Sequence, residues 1–374
     1  MKFPRPRFCR PTPSPLTQVG LRSKIRKAIQ IMFLAMRVGG CLMLAGLIAA
    51  LPAVDKKSKD TTAKTPIPAA PKAGVKTPGV QIPAASLKSE AEIPVEGPGW
   101  IAISDSILVE SKPKDSLIRI DPKTNKPLDP VAGLKKPCSG TITAFGSLWI
   151  PNCETRTVTR MDPKTSKVSA TLAIGAADVM MGLAATADSV WVLTDTLTTL
   201  SRIDPMQNQV VGEMRLPAGC NDMAFGETSL WITCPAENKL YRVNPATNLV
   251  EKRIEVSAGP RALALGDNSI WVLCEKEGKV DRVDPKTNKV TKTIDLNVPN
   301  AGGSIAYGEG WLWVTETGFP ITRIDTQNEK VMQQFWGEGG GLITAGSGAI
   351  WLSDVRLGKV VRFDPKRIIA TLAE

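Results

Sequence analysis

Seven copies of one short unit constrain what this chain can fold into. An Arg-apolar-Asp core stands at Arg119, Arg160, Arg202, Arg282, Arg323 and Arg362, with a seventh copy, Arg242-Val243-Asn244, that carries Asn for Asp. Neighbouring arginines lie 39 to 42 residues apart. Eleven residues before five of them stands a tryptophan (Trp149, Trp191, Trp231, Trp271, Trp351). Trp313 precedes its arginine by ten, and the first copy has Leu108 at the tryptophan position. A period near 40 built from short strand-like runs is the pattern of a β-propeller, one blade per copy.

One unit shows why the runs are strands. Ala262-Leu263-Ala264-Leu265 ends at the turn cluster Gly266-Asp267-Asn268. Ile270-Trp271-Val272-Leu273 follows, then the alternating run Val280-Asp281-Arg282-Val283. Asp284-Pro285-Lys286-Thr287-Asn288 closes the hairpin: proline presets φ at the second turn position and asparagine tolerates the left-handed one. Val290 to Ile294 alternates again, as an outer strand with one wet face does. The reading is an all-β fold, a seven-bladed β-propeller of four-stranded antiparallel blades over 99–374. Because the tryptophan recurs, it serves what every blade needs, packing between blades, and each repeat arginine pairs with a repeat Asp or with carbonyls of the neighbouring blade.

The segment before the propeller is of two kinds. Residues 1–54 hold nine Lys or Arg and no acid, and 38–54 is an apolar run of 17 residues ending in small side chains. That pattern describes a signal peptide; a retained membrane anchor is the alternative, since 17 residues is the lower limit of a span. Translation from Met32 or Met36 would leave a more ordinary signal. Residues 55–98, rich in Pro, Ala, Lys and Thr and without an aromatic side chain, read as a disordered linker. Its last part, 92–98, resembles the outer-strand passage 253–260, so it is one candidate for the strand that closes the ring. The strand-like carboxyl end, 367–374, is the other. The formal charge of +11 belongs to the leader: 99–374 has 31 bases against 31 acids. A neutral propeller has no electrostatic footprint for nucleic acid.

Cys138 and Cys153 flank the first two strands of blade 2, and Cys220 and Cys234 flank the same hairpin of blade 4, at separations of 15 and 14. An antiparallel hairpin sets each pair opposite one another. Both are expected as disulfides, with Cys274 left free, and disulfides need an oxidising compartment. The protein is expected to be exported, periplasmic or extracellular, touching membrane only through its N-terminal segment.

No histidine occurs anywhere. This removes Ser-His-Asp triads, His-containing zinc sites and imidazole bases, and leaves carboxylates as acids, bases or ligands. The glycine run 337–341 falls where the repeat needs an inter-blade loop, with no helix after it, and is not read as a phosphate cradle. Ligand-binding candidates are the residues that break the repeat around the channel mouth: Asn152, Glu316 and Asp354, third after the blade tryptophan, and Asp178, Asn221, Asp222, Arg261 and Asn300 before the innermost strands. Arg261 and Arg356 are expected to hold Glu316 and Asp354 at low pKa. No metal site and no catalytic residue is assigned.

The units A-F-G-S-L-W-I-P-N-C (144–153), S-L-W-I-T-C (229–234) and R-V-D-P-K-T-N-K-V (282–290) resemble bacterial YVTN-type propellers and the virginiamycin B lyase-like superfamily over 99–374. The resemblance implies a seven-bladed propeller. In the streptogramin lyases it implies opening of a cyclic lactone by elimination with Mg²⁺ and a histidine base. Glu316 in W-V-T-E matches their acidic motif, and the histidine positions have no counterpart. The expectation is therefore a monomeric, exported binding or scaffold module for a protein or small ligand, without cofactor. The alternative is a lyase-like enzyme of carboxylate chemistry, with Mg²⁺.

Overall fold

A computed structural model describes residues 73–194 and 199–372. The leader 1–54, with Cys9 and Cys41, and the first part of the linker lie outside the described residues. Among those described, no helix is long and apolar enough to cross a membrane.

Seven sheets form, each from consecutive antiparallel strands: 98–131, 142–173, 183–215, 222–255, 260–295, 304–336 and 341–363 for blades 1 to 7. Six are four-stranded; the sixth gains a fifth strand. The extra strands come from the stretch read as linker. β1 (Gln81–Pro83) lies parallel to the outer strand of blade 6, Gln81 against Gln334. β2 (Ala91–Pro94) pairs antiparallel with the third strand of blade 7, Ala91 against Arg362, and completes that blade. This corrects the linker boundary of 98. Composition reports Pro, Ala and Lys and misses that Val80, Ile82, Ile93 and Val95 become buried.

The rival for that place is not a strand. Asp364 caps a short helix, α1 (Pro365–Ala370), by accepting from Lys366 N at 2.8 Å. In the other copies the turn ends on a residue with positive φ, such as Asn125, Asn208, Asn248 or Asn288. Ile368 stands there in the last copy, and a β-branched side chain resists that conformation, so the chain winds on as helix. Ile368 is buried, and Gln333 Nε2 holds its carbonyl at 2.9 Å.

The eleven-residue interval now has a geometric meaning. It places tryptophan and arginine directly across one hairpin, as in Trp231 against Arg242 and Trp271 against Arg282. The guanidinium lies over the indole at 5.0 to 5.5 Å in blades 2, 3, 4, 5 and 7. The same arginine reaches the turn of the next blade: Arg242 Nη1 donates to Pro285 O at 2.7 Å and Asn288 Oδ1 at 2.9 Å. Arg362 repeats this onto Pro122 O and Asn125 Oδ1 of blade 1 at 2.6 and 2.7 Å. The repeat Asp is not its partner; it holds its own turn, as when Asp284 accepts from Lys286 N. Each indole sits among the next blade's apolar residues, Trp231 beside Leu263, Ile270 and Val272 for example. Blades 1 and 6 depart: Arg119 Nε has no partner, and Arg323 turns to Gln333 Oε1 and the ring of Trp311.

Both disulfides, Cys138–Cys153 and Cys220–Cys234, are formed, and Cys274 is a buried free thiol. Each closes a loop worth about 3 kcal/mol in the chain-entropy picture. The pair fits an exported protein.

Candidate functional site

The innermost strands of all seven blades line an axial channel, and the loops leading into them frame a mouth at one end. Two cavities share that mouth. The larger, about 750 Å³, is lined by Glu110, Lys136, Asp178, Asn221 and Arg261 among others. The smaller, about 290 Å³, lies between Glu316, Arg261, Arg356 and the glycines of blades 6 and 7. Arg261, Leu342 and Val355 border both.

The glycines of the smaller cavity are there for closeness. A Cβ on Gly303 would stand 1.9 Å from Thr315 O, and one on Gly341 1.9 Å from Ser353 O. Both also hold positive φ. The run 337–341 is thus an inter-blade loop that must pass tightly over its neighbours.

Glu316 ends the strand Trp311–Glu316 and is 1% exposed. Its Oε2 is buried without a hydrogen-bond partner. Burial, with a smaller push from the Asp295 charge, raises its pKa from 4.5 to about 8. This corrects the expectation that Arg261 and Arg356 hold it down. Arg261 is engaged elsewhere, donating to Gly303 O at 3.0 Å and pairing with Glu275 at 3.2 Å, so desolvation wins. The sign for stability follows. The folded protein holds this proton more tightly than the unfolded chain, so stability is full below about pH 4.5 and declines as pH rises towards 8. Glu316→Gln, which cannot ionise, is expected to gain on the wild type by on the order of 1–3 kcal/mol between pH 5 and pH 8 in urea unfolding. A gap that stays constant with pH would mean that the carboxyl is solvated.

The other candidates divide. Asp178 and Asn221 line the larger cavity, Asp178 exposed and 3.8 Å from Lys136 Nζ. Asn221 also braces the loop, donating to Arg261 O at 2.8 Å. Asp222 lines the channel; it accepts from Leu263 N at 2.8 Å, and burial lifts its pKa to about 7. Asn152 is consumed by structure: it accepts from Lys135 N and donates to Ile150 O and Thr159 Oγ1. Asp354 accepts from Arg356 N and Leu357 N, both at 3.0 Å, and shapes its own turn. Asn300 is exposed and borders neither mouth cavity.

Two residues of the mouth were not singled out from sequence. Glu110, 5% exposed, lies against Trp100 N at 3.4 Å, and burial raises its pKa to about 7 against the opposing charge of Lys112. Trp100 lines channel and mouth together, and its Nε1 has no partner. A signal for Glu110 did exist. It stands second after Leu108, where the other blades place Pro151, Leu193, Thr233, Leu273, Thr315 and Ser353.

No family model and no curated protein sequence matches this chain. Among solved structures, a streptogramin B lyase superposes with a TM-score of 0.61 at 19% identity, covering 72% of this chain and 94% of its own. Virginiamycin B lyase from Staphylococcus aureus superposes with a TM-score of 0.61 at 19% identity, over 73% of this chain and 97% of its own. At 19% identity the likeness is one of fold: the chain is a seven-bladed β-propeller similar in fold to these two structures.

Proposed function

We propose that this propeller is an exported, monomeric binding module that takes a small ligand in its channel mouth. The observation that carries the reading is Glu316. A carboxyl oxygen buried without a partner is costly, and the residue that carries it borders the smaller mouth cavity. A ligand entering with a hydrogen-bond donor relieves that cost. The two disulfides support export, and the even charge of the propeller gives a polyanion nothing to grip.

The test is a thermal-shift screen of small polar molecules against the wild type and Glu316→Gln. The reading expects ligands whose stabilisation depends on Glu316. If every stabilising ligand acts equally on both proteins, the mouth is not the site.

One observation favours a second reading, an enzyme of acid–base chemistry. A carboxyl whose pKa lies near 8 can both take and return a proton at neutral pH, the property an elimination needs of its base. The Mg²⁺ that the fold's lyases would suggest would have to find its oxygen donors in this mouth. A hard divalent cation takes several oxygen ligands, whereas the grouping of three ligand-type side chains among the described residues is Cys138, Cys153 and Asp178, whose sulfurs are joined to each other. Incubation with virginiamycin B and Mg²⁺, followed by mass spectrometry, is expected to leave the ring intact. Ring-opened product that disappears in Glu316→Gln would establish the enzyme instead.

A further inference from the structure

The channel beneath the mouth has a chemistry of its own. Its volume is about 450 Å³, and its wall is more apolar than polar, with Ile101, Met180, Leu263, Ile305 and Ile343 beside Thr143, Ser304 and Thr344. Asp222 is the one charged side chain on it, and that carboxylate is already bonded to Leu263 N. A volume of this size, lined mainly by hydrophobic side chains with a few polar groups, suits a small ligand with an apolar part.

The channel meets the mouth at Trp100, Met180 and Leu342, which border both. Two buried polar groups stand at this neck. Trp100 Nε1 is a donor with no acceptor, and Glu110 is a carboxyl whose contact is one long bond of 3.4 Å from Trp100 N. The side chains are each 5% exposed. Their needs are complementary: one asks for an acceptor, the other for a donor. Near the neck Lys136 pairs with Asp178 and Arg261 with Glu275, while Lys112, which lines the same mouth, acts on Glu110 itself.

We propose that neck and channel together bind a neutral amide carried on an apolar chain. The amide carbonyl accepts from Trp100 Nε1, the amide N–H donates to the Glu110 carboxyl, and the chain runs into the channel. The proposal rests on the reading of the mouth as a ligand entrance and names what passes through it. A cationic head would require Glu110 ionised, which its burial opposes, and an anionic head would face Glu110 and, deeper, Asp222. The amide satisfies both groups at the neck without either penalty.

The probes are N-alkylacetamides from butyl to decyl, titrated calorimetrically into the whole chain beside alkanoates and alkylammonium ions of the same lengths. Amide affinity is expected to rise about fourfold for each added methylene until the channel is full. Glu110→Leu should weaken every amide by roughly fivefold and leave the chain-length slope intact. Ala306→Phe, which fills the channel, should flatten that slope while short amides still bind; Ala185→Leu is the milder plug should the first not fold, judged by its melting transition. The proposal is overturned by an affinity independent of chain length, by a slope that survives both plugs, or by tighter binding of either charged series. If no amide binds while Glu316-dependent ligands are found, this inference falls and the mouth reading stands. If neither class binds, both fall.

Discussion

Deleting residues 1–98 is expected to leave a propeller that cannot close. β2 supplies the outer strand of blade 7, flanked by Glu90 N donating to Arg362 O at 2.8 Å and Val95 N to Gly358 O at 3.0 Å. β1 is fastened to blade 6 through Gln334, whose Oε1 accepts from Val75 N at 2.8 Å and whose Nε2 donates to Leu296 O at 3.1 Å. The segment also buries Val80, Ile82, Ile93 and Val95. At about 1.5–3 kcal/mol for each side chain, their removal costs roughly 6–12 kcal/mol, an upper estimate. Whole domains are stable by about 5–15 kcal/mol. Loss of β2 additionally uncovers the strand Lys359–Phe363 as a free edge, open to pairing with other chains. Chains starting at 67 and at 99 should be compared by circular dichroism and size exclusion. The shorter is expected to be aggregated or to lack a cooperative melt. A melting point within about 5 °C of the longer chain would show that the ring closes without its clasp.

Trp231→Ala is expected to be the most damaging single substitution in the repeat. The side chain is fully buried between blades 4 and 5, its Nε1 donates to Gly226 O at 3.0 Å, and it supports the Arg242 guanidinium. Core Trp→Ala changes cost about 3–5 kcal/mol, and here Arg242 also loses the surface that aims it at blade 5. At about 2–4 °C for each kcal/mol, the melting point should fall by roughly 6–20 °C. Trp311, partly exposed and outside the repeat, is the control, and its replacement should cost less. If Trp231→Ala costs under about 1 kcal/mol in denaturant unfolding, the indole is not what joins the blades.

The fold was legible because its period and its internal interval are set by geometry: an interval of eleven is the distance around a hairpin that brings two side chains face to face. The N-terminal clasp was only half legible. The resemblance of 92–98 to an outer strand pointed to it, while the Pro, Ala and Lys around Val80 and Ile82 concealed β1. The site was less legible for a related reason. A break in a repeat reports a changed residue and is silent on who needs it. Asn152 breaks the pattern because Lys135 N requires an acceptor there, whereas Glu316 breaks it with a carboxyl oxygen that no protein group meets. Glu110 escaped notice because blade 1 lacks the tryptophan from which the other mouths are measured. The pKa of Glu316 escaped because Arg261 in the same mouth is already engaged with Gly303 O and Glu275.

The contact from each arginine to the following turn also bears on how such a chain can change its length. Every unit of the regular kind carries a plug, its arginine, and a socket, the Pro carbonyl and the side chain that ends the turn. Arg282 finds Glu329 in that last position and docks at 2.8 Å all the same. A copied or excised unit would therefore present matching parts at both new borders, and only the closure at blade 7 counts how many units there are. Blades 1 and 6, whose arginines do not make this joint, are the modules least free to be exchanged. They are also the two that carry Glu110 and Glu316.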